Sequence, residues 1–481
     1  MARRLVVGVD SSTQSTKVEA RDLDTGEVVA TGAAPHPPTT PPVSEQDPGA
    51  WWDALVDALH QLGDVRTDVV AMSVAGQQHG LVLLGADGVP LRPAKLWNDT
   101  TSASQADRLV AGIGADVWAQ RTGSVPVAAF TVTKLAWVAE HEPDLLDRVA
   151  TVMLPHDYLT WRLTGAHVTD RGDASGSGWY DPSTGEECLD LLDAAVGGGD
   201  WGDRVPRVLG PAEPAGPLDP GAAAPLGLPS DVVVGPGSGD NMGAALGLGL
   251  RAGDVAISLG TSGTVFAVSD SATHDPSGAV AGFASASGNF LPLVCTLNAT
   301  KVTDTVAAWL ATDASGLASL ALGAPDDPGT VTLVPYFDGE RTPNLPDATG
   351  SFVGLTTSTT REQLALAAHD GVLCGLIGGV DALRRVGATI DGRVFLVGGG
   401  NRSAAYRQRA ADLLAQEIVV PDTDETVATG AALQAAVVVT DDSFTAVAAR
   451  WQLGAGITIE PARDASAVRD RYAVQTSPPG R

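Results

Sequence analysis

The chain has 481 residues, 44% of them hydrophobic, and carries a formal net charge of −27. That length exceeds one compact core of roughly 100–200 residues and implies two domains. The acidity, with no basic run to displace counterions from phosphates, excludes a nucleic-acid partner. Cys188, Cys295 and Cys374 are scattered without metal or redox spacing, which suits a reducing compartment.

The N-terminus, MARRLVVGVDSS, is interrupted by Asp10 before it reaches signal-peptide length. No window reads as long and apolar enough to span a bilayer, so the expectation is a cytoplasmic protein with no membrane partner. Leu5 to Val9 reads as a buried strand, Asp10 to Ser15 as a small polar turn, and Lys17 to Ala20 as the returning strand. A turn at Asp24-Thr25-Gly26 leads into Glu27-Val28-Val29, and Pro35 to Pro42 reads as extended loop. Asp47-Pro48 opens a helix through Leu62, with proline in its first turn. Val69 to Ala75 is a second buried strand, ending in Gly76-Gln77-Gln78-His79-Gly80.

The stretch from Gly210 to Pro229 is rich in Pro, Gly and Ala and reads as loop, followed by a helix from Asn241 to Leu250. The opening syntax then recurs: strand Asp254 to Leu259, turn Gly260-Thr261-Ser262-Gly263, strand Thr264 to Val268. A strand, small-residue turn and strand near the start of each half suggests an internal duplication. Arg361 to Arg385 has helical spacing. Arg393 to Val397 is a strand entering Gly398-Gly399-Gly400-Asn401, and helices follow from Ser403 and Thr429. Strands alternate with helices in both halves, so the class is α/β.

Three turns, Ser11 to Ser15, Gly260 to Gly263 and Gly398 to Asn401, can expose consecutive backbone N–H groups to an anion. Glycine there lets phosphate oxygens approach the backbone, and Ser or Thr hydroxyls add donors. None fits the Walker pattern, so a P-loop fold is not supported. Asp10, at a strand end beside the first turn, can hold Mg²⁺ next to phosphates. Lys17 can neutralise phosphate charge.

Taken in order, these segments resemble the FGGY carbohydrate kinases. Gly8-Val9-Asp10 with its Ser/Thr turn, Gly339-Glu340-Arg341-Thr342-Pro343, the stretch from Gly350 to Asp370, and Phe395 to Gly400 carry the resemblance. It implies two ribonuclease-H-like, actin-like ATPase domains, 1–244 and 245–481, with an interdomain catalytic cleft. Sugar and the first phosphate turn would belong to the first domain and nucleotide to the second. Ser44 to Trp52, Gly76 to Gly80, Leu96-Trp97-Asn98-Asp99, Thr133 to Trp137, Pro155 to Leu159 and Gly239-Asp240-Asn241 are similar to the family's xylulose-phosphorylating members. That resemblance implies D-xylulose as acceptor, attacked through its 5-hydroxyl, with ATP and Mg²⁺ as cofactors. Oligomeric state is left open, a homodimer included.

A sugar hydroxyl needs a base to take its proton. Asp240, at a strand end before a helix, is the candidate, with a helix N-cap as its alternative role. The resemblance implies that Asp10 and Asp240 hold the metal. Ser12, Thr13, Gln14, Ser15, Lys17, Gly260, Thr261, Ser262, Gly398, Gly399, Gly400 and Asn401 would then contact nucleotide. Gln78, His79, Trp97, Asn98, Asp240 and Asn241 offer the mixed donors and acceptors a polyol demands. Gln78 stands where the family usually has Met, and His369 where its second signature has an apolar residue. The rival readings are a sister kinase for ribulose, gluconate or glycerol, and, from another class, an actin-like or chaperone-type ATPase.

Overall fold

The computed structural model describes residues 3–325, 330–423 and 425–476. They form two compact units. One comprises Met1–Leu250, Asp270–Leu291 and Glu425–Leu453; the other Arg251–Ser269, Pro292–Asp424 and Gly454–Arg481. Neither is continuous in sequence.

The first unit is built on a mixed sheet. Its strands run in the order Val28–Pro35, Ser15–Asp22, Leu5–Ser11, Val69–Gly76, Val233–Val234 and Gly216–Pro217. Leu5–Ser11 pairs antiparallel with Ser15–Asp22, in a register that sets Asp10 opposite Lys17. It pairs parallel with Val69–Gly76, setting Ser11 beside Gly76. The short strand Ser238–Gly239 also runs parallel to Val69–Gly76, with Gly239 beside Gly76. Every residue of Leu5–Ser11 is buried, because helices cover both faces of a sheet built this way. The helix Pro48–His60 is capped by Asp47, whose side chain accepts from the Gly49 N–H, and it buries Trp51, Leu55 and Leu59. The helix Thr426–Val438 lies so close that a Cβ on Gly8 would sit 1.9 Å from the Ala428 carbonyl oxygen. The same helix meets Asp240–Gly247 at equally short range, since a Cβ on Gly430 would fall 1.8 Å from the Gly243 carbonyl oxygen. That contact fixes the helix that begins at Asp240.

The second unit repeats the pattern. Val255–Leu259 pairs antiparallel with Gly263–Ala267 and parallel with Val394–Val397, with Ser258 beside Val397. Gly263–Ala267 in turn pairs antiparallel with Phe290–Thr296. In both units a hairpin lies beside a parallel strand, as the repeated sequence syntax suggests.

Two expectations need correction. The stretch from 210 to 229 is not all loop: Pro220–Leu226 is a helix, capped by Asp219 accepting from the Gly221 N–H, with proline at its start. Proline in the first turn and a run of alanines favour helix there. Arg361–Arg385 also meets the length and hydropathy of a membrane span, contrary to the sequence reading. Most of that apolar window is buried inside the unit, so it is a core helix. Its Asp370 lies 2.7 Å from Arg409.

Candidate active site

Where parallel strands end side by side, the residues just beyond their carboxyl ends share one crevice. In the first unit, Leu5–Ser11, Val69–Gly76 and Ser238–Gly239 end together. The chain beyond them supplies Ser12 to Gln14, Gln77-Gln78-His79, and Asp240-Asn241. Residues separated by more than 200 positions thus become neighbours.

Asp240 is the first residue of its helix, not the cap; Gly239 holds the cap position and makes no side-chain cap bond. The Asp240 Oδ1 accepts from the Asn241 N–H at 2.7 Å and from Asn241 Nδ2 at 3.0 Å. Asn241 Nδ2 also donates to Gln78 Oε1 at 2.6 Å. Gln78 therefore holds Asn241, which holds Asp240. A Cβ on Gly239 would come within 2.6 Å of Gln78 Cγ, so only glycine permits this approach. Asp240 keeps part of its surface open, yet the protein around it excludes most water. Burial, and then the charges of Asp10 and Asp173, raise its pKa to about 7. A carboxylate tuned there can take a proton near neutral pH.

Asp10 is buried. The Ser12 hydroxyl donates a short bond to its Oδ1. Burial raises its pKa to about 6, against the lowering effect of Ser12 and Lys17. No group of three or more His, Cys, Asp or Glu suited to a metal occurs among the described residues. Two carboxylates whose pKa values are raised by burial, that of Asp240 further by the charge of Asp10, do suit Mg²⁺, which takes one or two carboxylates and fills its sphere with phosphate oxygens and water.

The phosphate turn and the sugar loop are physically joined. Trp97 Nε1 donates to Thr13 Oγ1 at 2.9 Å, and Thr13 Oγ1 donates to Gln77 Oε1 at 3.3 Å. Gln46 Nε2 donates to the Thr13 carbonyl at 2.9 Å. Trp97 itself remains 42% exposed, available as a wall for a ligand. The Asn98 Oδ1 is buried and has no hydrogen-bond partner among the described residues. Within the turn, Ser12 N–H donates to the Ser15 carbonyl, and the Gln14 carbonyl accepts from His36 N–H. Lys17 Nζ is 2.8 Å from both Glu425 oxygens, so its charge is shared with that carboxylate.

His79 has φ of 61°, in the left-handed region. Asp173 explains its stability. Its Oδ1 accepts from the His79 N–H at 2.9 Å and lies 2.8 Å from His79 Nδ1. Phe130 stacks on the ring at 5.4 Å and Phe283 tilts against it at 5.0 Å. A Cβ on Gly176 would stand 1.9 Å from the ring. Behind Asp173, the buried His156 Nε2 lies 3.2 Å from Asp157 and Asp170 and 3.6 Å from Asp173. Burial opposes protonation of His156, but the three carboxylates outweigh it and raise its pKa to about 9. This support was missed in the sequence, although His156-Asp157 stood out as a motif.

In the second unit a cleft of about 710 Å³ is lined by Gly260, Thr261, Gly399, Gly400, Arg402 and Ser403 among others. Thr300 N–H and Oγ1 both donate to the Gly260 carbonyl, which turns the Gly260–Ser262 loop outward. Thr261 and Ser262 are exposed, though Ser262 is not part of the cleft wall. Gly398 has φ of 83°. A Cβ on Gly399 would meet nothing within 4 Å, so that backbone faces open space. Asn401 is buried, and its Nδ2 points 3.5 Å from the Leu396 carbonyl. Gly398 and Asn401 shape the turn from behind, while Gly399 and Gly400 present it. Thr300, Tyr406 and His369 also line the cleft; of these only His369 stands out in the sequence.

Models of the N-terminal and C-terminal domains of the FGGY family of carbohydrate kinases match residues 5–247 and 255–439. The chain belongs to the FGGY family of carbohydrate kinases. This FGGY kinase is 48% identical over 465 residues to a protein named xylulose kinase from Streptomyces coelicolor, covering 95% of this chain and 92% of that one. It is 36% identical to one of the same name from Escherichia coli over 86% of each. A crystal structure of xylulose kinase from Bifidobacterium adolescentis superposes with a TM-score of 0.88 at 40% identity, covering 99% of this chain and all of the other. A glycerol kinase from Plasmodium falciparum at 19% identity and TM-score 0.84 shares the fold. The actin-like ATPase architecture of the two-domain kinase is therefore established, and the assembly-type ATPase reading falls away.

Proposed function

We propose that this chain transfers the terminal phosphoryl group of ATP to D-xylulose, giving D-xylulose 5-phosphate. The observation that carries the reading is the convergence of Asp10, Gln78-His79 and Asp240-Asn241 beyond three strand ends, with the Asp240 pKa raised to about 7. The names of the relatives supply the particular ketose.

In this reading Asp240 accepts the proton of the sugar 5-hydroxyl as the hydroxyl oxygen attacks phosphorus. Asn241 orients the carboxylate, and Gln78 orients Asn241. His79, Asn98 and the Trp97 ring bind the remaining sugar surface. The turn from Ser12 to Ser15, with Lys17, and the loop from Gly260 to Ser262 cradle the phosphates. Gly399 and Gly400 lie against the nucleoside. Asp10 and Asp240 would hold Mg²⁺, which supplies charge neutralisation of the phosphates. The tie from Trp97 through Thr13 gives a route by which sugar contact orders the phosphate turn, so hydrolysis of ATP without sugar is slow.

A coupled ADP-release assay with D-xylulose, D-ribulose, gluconate and glycerol tests the assignment. D-Xylulose should give the highest kcat/KM. A higher value for any of the others would transfer the assignment to that acceptor.

A further inference from the structure

His369 occupies an unusual place. It sits in the helix Arg361–Arg385, is 2% exposed, and yet lines the cleft of the second unit. Its Nδ1 is 2.9 Å from the Ala365 carbonyl oxygen. A carbonyl can only accept, so the ring carries its proton on Nδ1. Tyr406 packs edge-on against the ring at 4.6 Å, and its hydroxyl is committed to Thr303 Oγ1 at 3.0 Å. The remaining atom, Nε2, has no hydrogen-bond partner among the described residues, and the residue lines the cleft. Burial, with Arg409 adding to it, lowers the ring pKa to about 4, so near neutral pH Nε2 holds a lone pair.

The cleft is graded in polarity. Gly260, Thr261 and Gly399 offer backbone and hydroxyl groups, whereas Leu317, Ala318 and Leu322 form an apolar wall. The helix carrying that wall, Ala314–Leu322, packs on the helix carrying His369. A nucleotide whose phosphates meet the glycine turns places its flat base against the apolar wall, where the buried ring offers one acceptor.

We propose that His369 is the base-selecting residue of the nucleotide cleft, its Nε2 accepting a hydrogen bond from the 6-amino group of adenine. The inference rests on the assignment of this cleft to nucleotide. A 6-oxo base such as guanine or hypoxanthine presents a second acceptor at the same place, and two lone pairs then face each other. Selection by an unpaired buried polar group is stronger than selection by shape. An apolar side chain at this position would close the cleft without reading the base.

Calorimetric titration of ADP, IDP, GDP and 2′-deoxyADP into the whole protein with Mg²⁺ and no sugar tests this. The natural chain should bind ADP at least about tenfold more tightly than IDP or GDP, the worth of one hydrogen bond near 1.4 kcal/mol. His369→Leu should lose about tenfold in ADP affinity and leave IDP affinity unchanged. His369→Gln, whose amide can turn to donate or accept, should bring ADP and IDP to similar affinities. Equal losses for ADP and IDP in His369→Leu, or an unchanged preference in His369→Gln, would overturn the proposal. So would a defect confined to 2′-deoxyADP, which would place the ribose at His369. If the natural chain binds none of the four, the nucleotide reading of the cleft fails with it. Tight ADP binding without base preference removes only the role of His369.

Discussion

Replacing Asp240 by Asn should make the protein more stable and nearly inactive. The carboxyl titrates at about 7 in the folded chain because of burial and the charges of Asp10 and Asp173. Its unfolded value is close to 3.8. With the folded pKa above the unfolded one, its contribution is fully present below about pH 4. It is lost as pH rises through 7, and at higher pH the charged group is a cost. Three pKa units correspond to about 4 kcal/mol, and the open side of the carboxyl reduces this to roughly 2–4 kcal/mol. Asn keeps the acceptor that Asn241 uses and carries no charge. For a unit of this size the transition temperature should rise by about 4–10 °C at pH 8.5 and by almost nothing at pH 4. The assay is thermal unfolding across pH with EDTA present, since a bound cation would itself offset the charge. In parallel, kcat should fall by about 10²–10⁴, the usual worth of a positioned base. A stability change that is absent at pH 8.5, or equal at both pH values, would refute the claim that burial tunes this carboxylate.

Gly176→Ala should raise the sugar KM at least about tenfold and leave ADP affinity unchanged, because the new Cβ would stand 1.9 Å from the His79 ring. Substrate kinetics and nucleotide titration separate the two effects. His156→Leu should lose about 3–5 kcal/mol in urea unfolding at pH 7, since Asp157, Asp170 and Asp173 lose their buried cation. His156 titrates at about 9, above its ordinary 6.5. Its stabilisation is therefore whole below pH 6.5 and lost as pH rises through 9, so the gap between the two proteins should narrow above pH 9.

Much of the arrangement could be read from local pattern. Asp10 stands near the end of a buried strand before a polar turn, Asp240 follows a short strand and opens a helix, and the register of parallel strands then brings those strand ends together. The bounds of the helix Arg361–Arg385 are legible because its helical spacing persists through the glycine interruptions, and in the structure Thr360 and Gln363 form a capping box at its start. Pro220–Leu226 was missed because Pro, Gly and Ala suit a loop equally well until Asp219 is seen to cap. The support of His79 was hidden for a different reason. Asp173 lies 94 positions away in sequence and Phe283 on a segment further still, and no local periodicity encodes such meetings. His369 is visible as a polar residue in an apolar position, but the role proposed for it needs the structure, in which Ala365 engages one ring nitrogen and the residue lines the cleft.

The most direct test measures D-xylulose-dependent ADP release, with the product's phosphate position read by NMR, for the natural chain and for Asp240→Ala. The natural chain should form xylulose 5-phosphate, and the variant should retain about a hundredth of that rate or less at every pH. Undiminished turnover by the variant, or phosphate on another hydroxyl, would contradict the assignment of Asp240 as the group that takes the proton of the 5-hydroxyl.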